Sequence, residues 1–125
     1  NGGSSYGVTA TTTFFRAVHG EDGSGGSLSY ITALDLAQST NPIPLTSNQG
    51  NGADECSVGI FYLFAPSSTT YVKHFYSRMN TYKQDNVSDV NHVAGYFNDT
   101  NDIDVVQFKM SSGNFDGTIT MWGVK

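Results

Sequence analysis

Three histidines are the first residues to weigh for metal binding or proton transfer. They are His19, His74 and His92, and no two of them are spaced to share one face of a single element. His74 stands among aromatic residues in an alternating segment, which is typical of a packed, hydrogen-bonded histidine. The sequence contains no HExxH, GxSxG, P-loop or CxxC motif. We therefore predict no catalytic residue, no metal site and no cofactor.

Acidic residues are concentrated from Asp99 to Asp104 (DTNDID), where oxygen ligands two or three residues apart could bind Ca²⁺. The run lacks the glycine and the distal glutamate of an EF-hand loop, so a solvated turn that blunts a strand edge is favoured. The adjacent pairs Glu21-Asp22 and Asp54-Glu55 could serve a glycosidase only if the fold brought them together beside a sugar-binding cleft. A carbohydrate-binding or carbohydrate-cleaving domain is therefore the alternative function.

Four residues in polar stretches are the candidates for contact with a partner. Tyrosine suits an interface because it buries a large ring while its hydroxyl keeps a hydrogen-bond partner. Tyr82 falls in such a polar stretch, and Asn86, Asn48 and Asn51 lie in similar ones. We predict an interaction surface at these four residues.

The composition favours β structure and excludes several partners. The 125 residues are 38% hydrophobic and 13% aromatic, but only 14% are charged, against about 25% in an average protein. A net charge of −5 argues against nucleic acid, because phosphate binding needs a basic patch. The longest apolar stretch, near Val58 to Ala65, is too short to span a bilayer, so we predict no membrane insertion.

Alternating or continuous apolar side chains must supply the elements that position these residues. Residues 1–8 are rich in Gly and Ser and are predicted to be a flexible lead-in or the end of a linker. Strands are predicted at residues 9–18, 28–36, 55–65, 69–79 and 91–97, with loops at 20–26, 39–53 and 80–90. A short helix from Tyr30 to Gln38 competes with the second strand. The nearly continuous apolar run from Glu55 to Ala65 predicts a central strand buried on both faces.

The clearest local pattern is a closing hairpin from Asp102 to Lys125. Val106, Phe108 and Met110 alternate with polar residues, which predicts that these three face a core. The stretch 111–117 contains two Gly and two Asn or Asp residues and is typical of a turn, and 118–124 resumes as a strand. With Phe108 buried, Phe108→Ala is expected to cost about 3–5 kcal/mol.

Seven or eight short strands without a long helix predict one all-β domain over residues 9–125. The economical architecture is an antiparallel β-sandwich of the jelly-roll type.

Two stretches also carry a resemblance. The sequences FYLFAPSSTTYVKHF (61–75) and SSGNFDGTITMWGVK (111–125) resemble the end of a family of tailed-bacteriophage virion structural proteins. In that family a strand, a Pro-Ser turn and a "TTxxKH" strand precede a closing "SSGNxxxGTIxLYG" hairpin. Here Met121-Trp122-Gly123 stands where the family usually has Leu-Tyr-Gly. The resemblance covers about the last two thirds of the chain.

The resemblance implies a non-enzymatic β-sandwich at the surface of a virion. Such a module would be a capsid decoration, a head fibre or a tail fibre tip that serves assembly or host attachment. Its partners would be other virion proteins and further copies of itself, with a trimer favoured, and a host-surface glycan is a compatible ligand. No catalytic residue belongs to the shared motifs.

Overall fold

The structure is a computed structural model that describes residues 6–124. Within that range the chain forms β1 (Ala10–Gly20), β2 (Ser27–Tyr30), a 3-10 turn (Thr32–Leu34), β3 (Cys56–Leu63), β4 (Lys73–Lys83) and β5 (Val87–Phe97). The five strands make one antiparallel sheet in the order β2-β1-β5-β4-β3. The prediction of an all-β, antiparallel fold is therefore confirmed. Residues 1–5 of the predicted lead-in lie outside the described residues.

The sheet has one packed face, which we call the inner face. Successive side chains of a strand point to opposite faces, so the inner face collects alternate residues from each strand. Phe14, Phe75 and Val93 are buried there, from the three long strands. The partly buried residues that pack against them come from the edges of the sheet and from the connection after β2: Ile31, Leu34, Ile43, Phe61, Leu63 and Phe97.

The connection after β2 is bonded to the sheet through Asp35. One carboxylate oxygen, Oδ1, accepts a hydrogen bond from the Phe14 N–H at 2.7 Å, and the other accepts one from the Tyr30 hydroxyl. The predicted strand over 28–36 is thus too long, because β2 ends at Tyr30 and the chain turns across the inner face. The competing helix is reduced to the single 3-10 turn.

The described residues contain fewer strands than the seven or eight predicted, and a second sheet is not among them. The predicted loop over 80–90 is also wrong. β4 runs on to Lys83 and β5 begins at Val87, so a three-residue turn joins them, closed by the Asn86 N–H on the Lys83 carbonyl at 3.0 Å. The stretch looked like a loop because its inward-facing residues, Thr81, Lys83 and Asp89, are buried but polar.

The predicted closing hairpin is the largest correction. No residue from 102 to 124 belongs to a strand, and Lys125 lies outside the described residues. Among backbone hydrogen bonds between described residues, the last along the chain runs from the Ile103 N–H to the Pro66 carbonyl at 2.8 Å. Phe108 packs edge-to-face on Phe61 at 6.1 Å between ring centroids but stays 38% exposed. The alternation of apolar and polar residues does not make residues 105–124 a strand, because a strand needs backbone hydrogen bonds to a neighbour and these residues have none with other described residues.

Candidate functional site

The structure brings two of the four predicted interaction residues into contact. Tyr82 lies half-buried on β4, not in a loop, and its hydroxyl donates a hydrogen bond to Oδ1 of Asn86 at 3.1 Å. Asn86 occupies the β4–β5 turn with a φ of 54°, a left-handed conformation that asparagine tolerates better than most residues. This pair fixes one end of the sheet.

Asn48 and Asn51 lie exposed in the connection that precedes β3. That connection is attached to the sheet by Ser47, whose hydroxyl donates to Asp89 at 2.9 Å, and by a hydrogen bond between Ser57 and Gln49. The hydrogen bonds between described residues do not join Asn48 or Asn51 to Tyr82 or Asn86. The predicted surface is therefore one contact pair and a separate loop.

A small cavity of about 260 Å³ opens beside Tyr82. Its lining is His19, Gly20, Glu21, Asn80, Thr81, Tyr82 and Ser88. Partial burial, and then the negative charges of Glu21, Asp54 and Glu55, raise the pKa of Tyr82 above its usual value. The fold thus places members of both predicted acidic pairs around one tyrosine. A phenol with a raised pKa stays protonated, so it offers a hydrogen bond and not a base.

The inner face carries a buried charge network centred on Asp89, which is fully buried. Its Oδ2 lies 3.4 Å from Nη1 of Arg16 and 4.0 Å from Nζ of Lys83, in addition to the Ser47 bond. Asp89 Oδ1, Asn91 Oδ1 and Ser77 Oγ have no hydrogen-bond partner among the described residues. Two cations already face one carboxylate, so an added metal ion would be repelled and the network is structural.

The acidic run forms a turn at its first residue. Oδ1 of Asp99 accepts hydrogen bonds from the backbone N–H and the side-chain amide of Asn101, both at 2.8 Å. The Asp99 carbonyl accepts a hydrogen bond from the buried Lys73 ammonium at 3.2 Å. In the part of the chain that the structure describes, three or more His, Cys, Asp or Glu residues do not gather into a metal-binding group.

The opposite side of the sheet, which we call the outer face, is uncovered and aromatic. The Phe15 and His92 rings stack with centroids 4.8 Å apart, and the Tyr62 and Tyr76 rings lie 4.7 Å apart. Phe64 adds a ring 5.7 Å from Tyr76. The large apolar residues exposed here are Phe15, Leu28, Tyr30, Val58, Ile60, Tyr62, Phe64 and Tyr76.

The charge on the outer face differs from that of the whole chain. Cross-strand partners share a face, so the register places His19, His74 and His92 on the outer face together with Arg78. Among the strand residues that point to it there is no carboxylate, although the chain carries eleven Asp and Glu residues. Acidic groups are thus confined to the inner face, the connections and residues 98–124.

A shallow depression of about 410 Å³ crosses the outer face. Its centre is the cross-strand pair Thr13 and Ala94, whose small side chains leave room, and Tyr76, Tyr96 and His74 flank it. Aromatic rings around a floor of small residues can stack on a flat ligand or receive side chains of another protein.

β3 lies at the edge of the sheet, which corrects the predicted central strand buried on both faces. Val58 is 71% exposed and Ile60 50% exposed. Cys56, the sole cysteine of the chain, is exposed at the start of the strand. The apolar run was correctly identified as a strand, but the chain does not cover it.

Comparison with known proteins adds no relative: neither a family model, nor a curated protein, nor a solved structure matches the chain. Among residues 6–124, no helix has the length and apolarity to cross a membrane.

The outer face is what the sequence-based prediction of a site missed. The signal was present, because β1 and β3 carry large apolar residues at both odd and even positions, as in Phe14-Phe15 and Phe61-Tyr62-Leu63. Two apolar rows on one strand indicate two covered faces. In β3 that pattern predicted a central strand buried on both faces, and not a surface for contact with another molecule.

Proposed function

We propose that this chain is a non-enzymatic structural module that assembles with further copies of itself at the surface of a tailed-bacteriophage virion. The observation that carries the proposal is the uncovered outer face. Its exposed apolar side chains amount to on the order of 800 Å², more than the roughly 300–600 Å² of the largest patch on a typical monomer. Burying that surface would stabilise an assembly without any catalytic group.

The predicted β-sandwich is part of this proposal, because it would form between the sheets of two copies. One sheet with a packed inner face and an apolar outer face is half of a layered fold, since apolar sheet faces pack about 10 Å apart. A sheet from a second copy would supply the second layer over Phe15, Tyr62 and Tyr76. The absence of carboxylates on this face favours such contact, because two copies would bring no buried acidic pair together.

The place in a virion rests on the resemblance of residues 61–75 and 111–125. A capsid decoration, a head fibre or a tail fibre tip would each be a surface position, and a trimer would suit a fibre. Tyr82 points to the outer face near one end of the sheet, while Asn86 and the loop of Asn48 and Asn51 lie beyond the strands and would remain outside the sheet contact. That end is where another virion protein or a host-surface glycan would bind.

The proposal is tested by light scattering on the purified chain and by its presence in particles encoded by the same genome. A discrete oligomer, together with stoichiometric amounts of the chain in purified virions, is the expected result. A chain that stays monomeric and is missing from the particles would overturn the proposal.

The depression between Tyr76 and Tyr96 favours the alternative of carbohydrate binding. Rings that flank a shallow floor could stack on a sugar, and His74 with Thr13 could bond its hydroxyls. Glycan-array binding that is lost in Tyr76→Ala and in Tyr96→Ala would support this function. Self-association and sugar binding would compete, since both would use the outer face.

A further inference from the structure

The sequence of β3 does not match its place in the sheet. An edge strand is usually protected by charged residues, by proline or by a bulge, because its free N–H and C=O groups can pair with another chain. β3 (CSVGIFYL) has no charge and no proline, and it runs for eight residues. Val58, Ile60 and Tyr62 line its outer row, while Phe61 and Leu63 line its inner row. This is the pattern of a strand with neighbours on both sides.

A second part of the chain also has apolar side chains but no strand beside it among the described residues. Residues 105–124, which we call the C-terminal segment, form no backbone hydrogen bond with any described residue. Residues 118–124 carry apolar side chains in both rows, with Ile119 and Met121 in one and Trp122 and Val124 in the other. These four side chains are between 59% and 92% exposed. Residues 118–124 therefore have the composition of a buried strand but no strand partner among the described residues.

We propose that residues 118–124 of one copy pair with the edge of β3 in a second copy, so that β3 becomes an interior strand. This inference rests on the proposed function, whose homo-oligomer it specifies. Seven residues of extended chain span roughly 23 Å, close to the roughly 26 Å of the eight-residue β3. Both rows of the added strand would then lie beside apolar rows of β3.

A second copy fits better than the same copy for a geometric reason. The segment starts from the end of β3, at the bond between Ile103 and Pro66, and passes its inner row, where Phe108 contacts Phe61. It does not pair with its own β3, although it passes within contact of it. If residues 118–124 pair with the next copy instead, the path of the C-terminal segment up to Phe108 stays unchanged. When each copy donates to the next around a ring, the result is a closed cyclic oligomer.

The buried area is sufficient when more than one donation is made. If half of the exposed apolar surface of the C-terminal segment and most of that on the outer row of β3 are buried, each donation removes roughly 800 Å² from water. Reciprocal donation between two copies puts two donations in one interface and reaches the roughly 1,200–2,000 Å² of a stable interface, whereas in a larger ring each interface holds one donation and the outer face would supply the remaining area. The other edge strand, β2, is a weaker acceptor, because it is four residues long.

Hydrogen exchange of the full chain at low and high concentration tests the proposal. We expect amides of 56–63 and 118–124 to become protected together, at the concentration where light scattering shows assembly. The Cys56 thiol should also react at least tenfold more slowly with a thiol reagent in the assembled state, because its strand is then covered. Protection of 118–124 in the monomer would mean pairing within one chain and would overturn the inference.

Two variants separate donor from acceptor. Ile119→Asp with Met121→Asp damages the donated strand, and Val58→Lys with Ile60→Lys damages the accepting edge. Each variant alone should lose the assembly, but their mixture should form a one-to-one complex, weaker than the wild-type assembly, because one intact donor and one intact acceptor leave a single donation. Tyr71→Lys is the control, since Tyr71 is equally exposed but lies outside the strands.

The outcomes distinguish the two proposals. A wild-type chain that stays monomeric contradicts both the assembly and the strand donation. Assembly that persists in both variants, or proceeds without protection of 118–124, contradicts the donation alone and leaves assembly through the outer face.

Discussion

Asp89 is the residue on which the polar part of the inner face depends. Its buried carboxylate faces Arg16 and the nearly buried Lys83, and it accepts the hydrogen bond that fixes Ser47. The carboxylate therefore balances charge beneath the sheet and anchors the connection before β3.

Asp89→Asn should lower the free energy of unfolding by about 3 kcal/mol, because it removes the buried carboxylate that Arg16 and Lys83 share and leaves Lys83 with only the exposed Asp85. The matched control is Asp85→Asn, since Asp85 lies 3.6 Å from the same lysine but is 60% exposed. We expect the control to change stability by less than about 0.5 kcal/mol. Chemical denaturation measures the free energy of unfolding of both variants. Equal losses would show that the buried carboxylate of Asp89 contributes no more to stability than the exposed one of Asp85.

Asp35 is the second residue with a specific structural role. Asp35→Ala should cost about 1–3 kcal/mol in denaturation experiments, because the Phe14 N–H loses its acceptor inside the protein. Tyr30→Phe is the matched control, since it removes only the hydroxyl that bonds the other oxygen. A loss in Tyr30→Phe as large as in Asp35→Ala would contradict the assigned role of the Phe14 bond.

Tyr30 also predicts a pH dependence. The hydrogen bond to Asp35, followed by partial burial and the charge of Asp35, raises the pKa of Tyr30 above its ordinary 10.0. A raised folded-state pKa means that the bond stabilises the fold fully below the ordinary pKa and is lost as pH rises through the raised one. Absorbance titration of phenolate should show a late component to which Tyr82 also contributes, and Tyr30→Phe should remove one phenol from it. A titration unchanged by this substitution would refute the assignment.

At the scale of elements, the contact between β1 and β5 allows only glycine at position 95. A Cβ on Gly95 would lie 2.3 Å from the Thr11 carbonyl oxygen, so any side chain must push the two strands apart. Gly95→Ala should cost about 1–3 kcal/mol, measured by thermal or chemical unfolding. Ala94→Ser, one residue away on the exposed outer face, should be nearly neutral. A tolerated Gly95→Ala would mean that the strands are not this close.

The C-terminal segment should contribute little to the stability of a single copy. With Phe108 38% exposed, Phe108→Ala is now expected to cost about 1 kcal/mol, well below the 3–5 kcal/mol that burial would imply. Phe75→Ala, in the core, should cost about 3–5 kcal/mol. The comparison is made on dilute, monomeric protein, and a large loss for Phe108 would show that the segment belongs to the monomer core.

Local patterns predicted much of the sheet. Strands were expected near the observed β1, β3, β4 and β5, because β-branched and aromatic residues alternate or run together there. The turn at 84–86 was not found, since the buried side chains on either side of it, Lys83 and Asp89, are polar and paired through space. Residues that are far apart in the sequence satisfy each other, and no local window contains both.

The candidate site was predicted less well for a related reason. An apolar row shows that a strand is to be covered, but not which chain covers it. β3 and residues 118–124 both have the pattern of interior strands, and in the described chain neither is interior. The sequence therefore indicated apolar rows on both sides of β3, whereas the predicted sandwich is not confirmed and the described residues form one sheet.

Over the whole molecule, the described residues form one sheet that is covered on a single face, and we propose that assembly covers the other. The acidic chain keeps its carboxylates off the outer face, and its exposed aromatic rings lie in rows across four strands. Such a surface is unusual for a protein that works alone. Assembly would bury it and leave Asn86 and the loop of Asn48 and Asn51 accessible.

Sedimentation velocity over a wide concentration range tests whether the chain assembles through its outer face. We predict a discrete oligomer whose dissociation constant rises at least tenfold in Tyr76→Asp, which places a charge in the middle of the outer face, and stays unchanged in Tyr71→Asp. A wild-type chain that remains monomeric at every concentration, or an oligomer indifferent to Tyr76→Asp, would contradict the account.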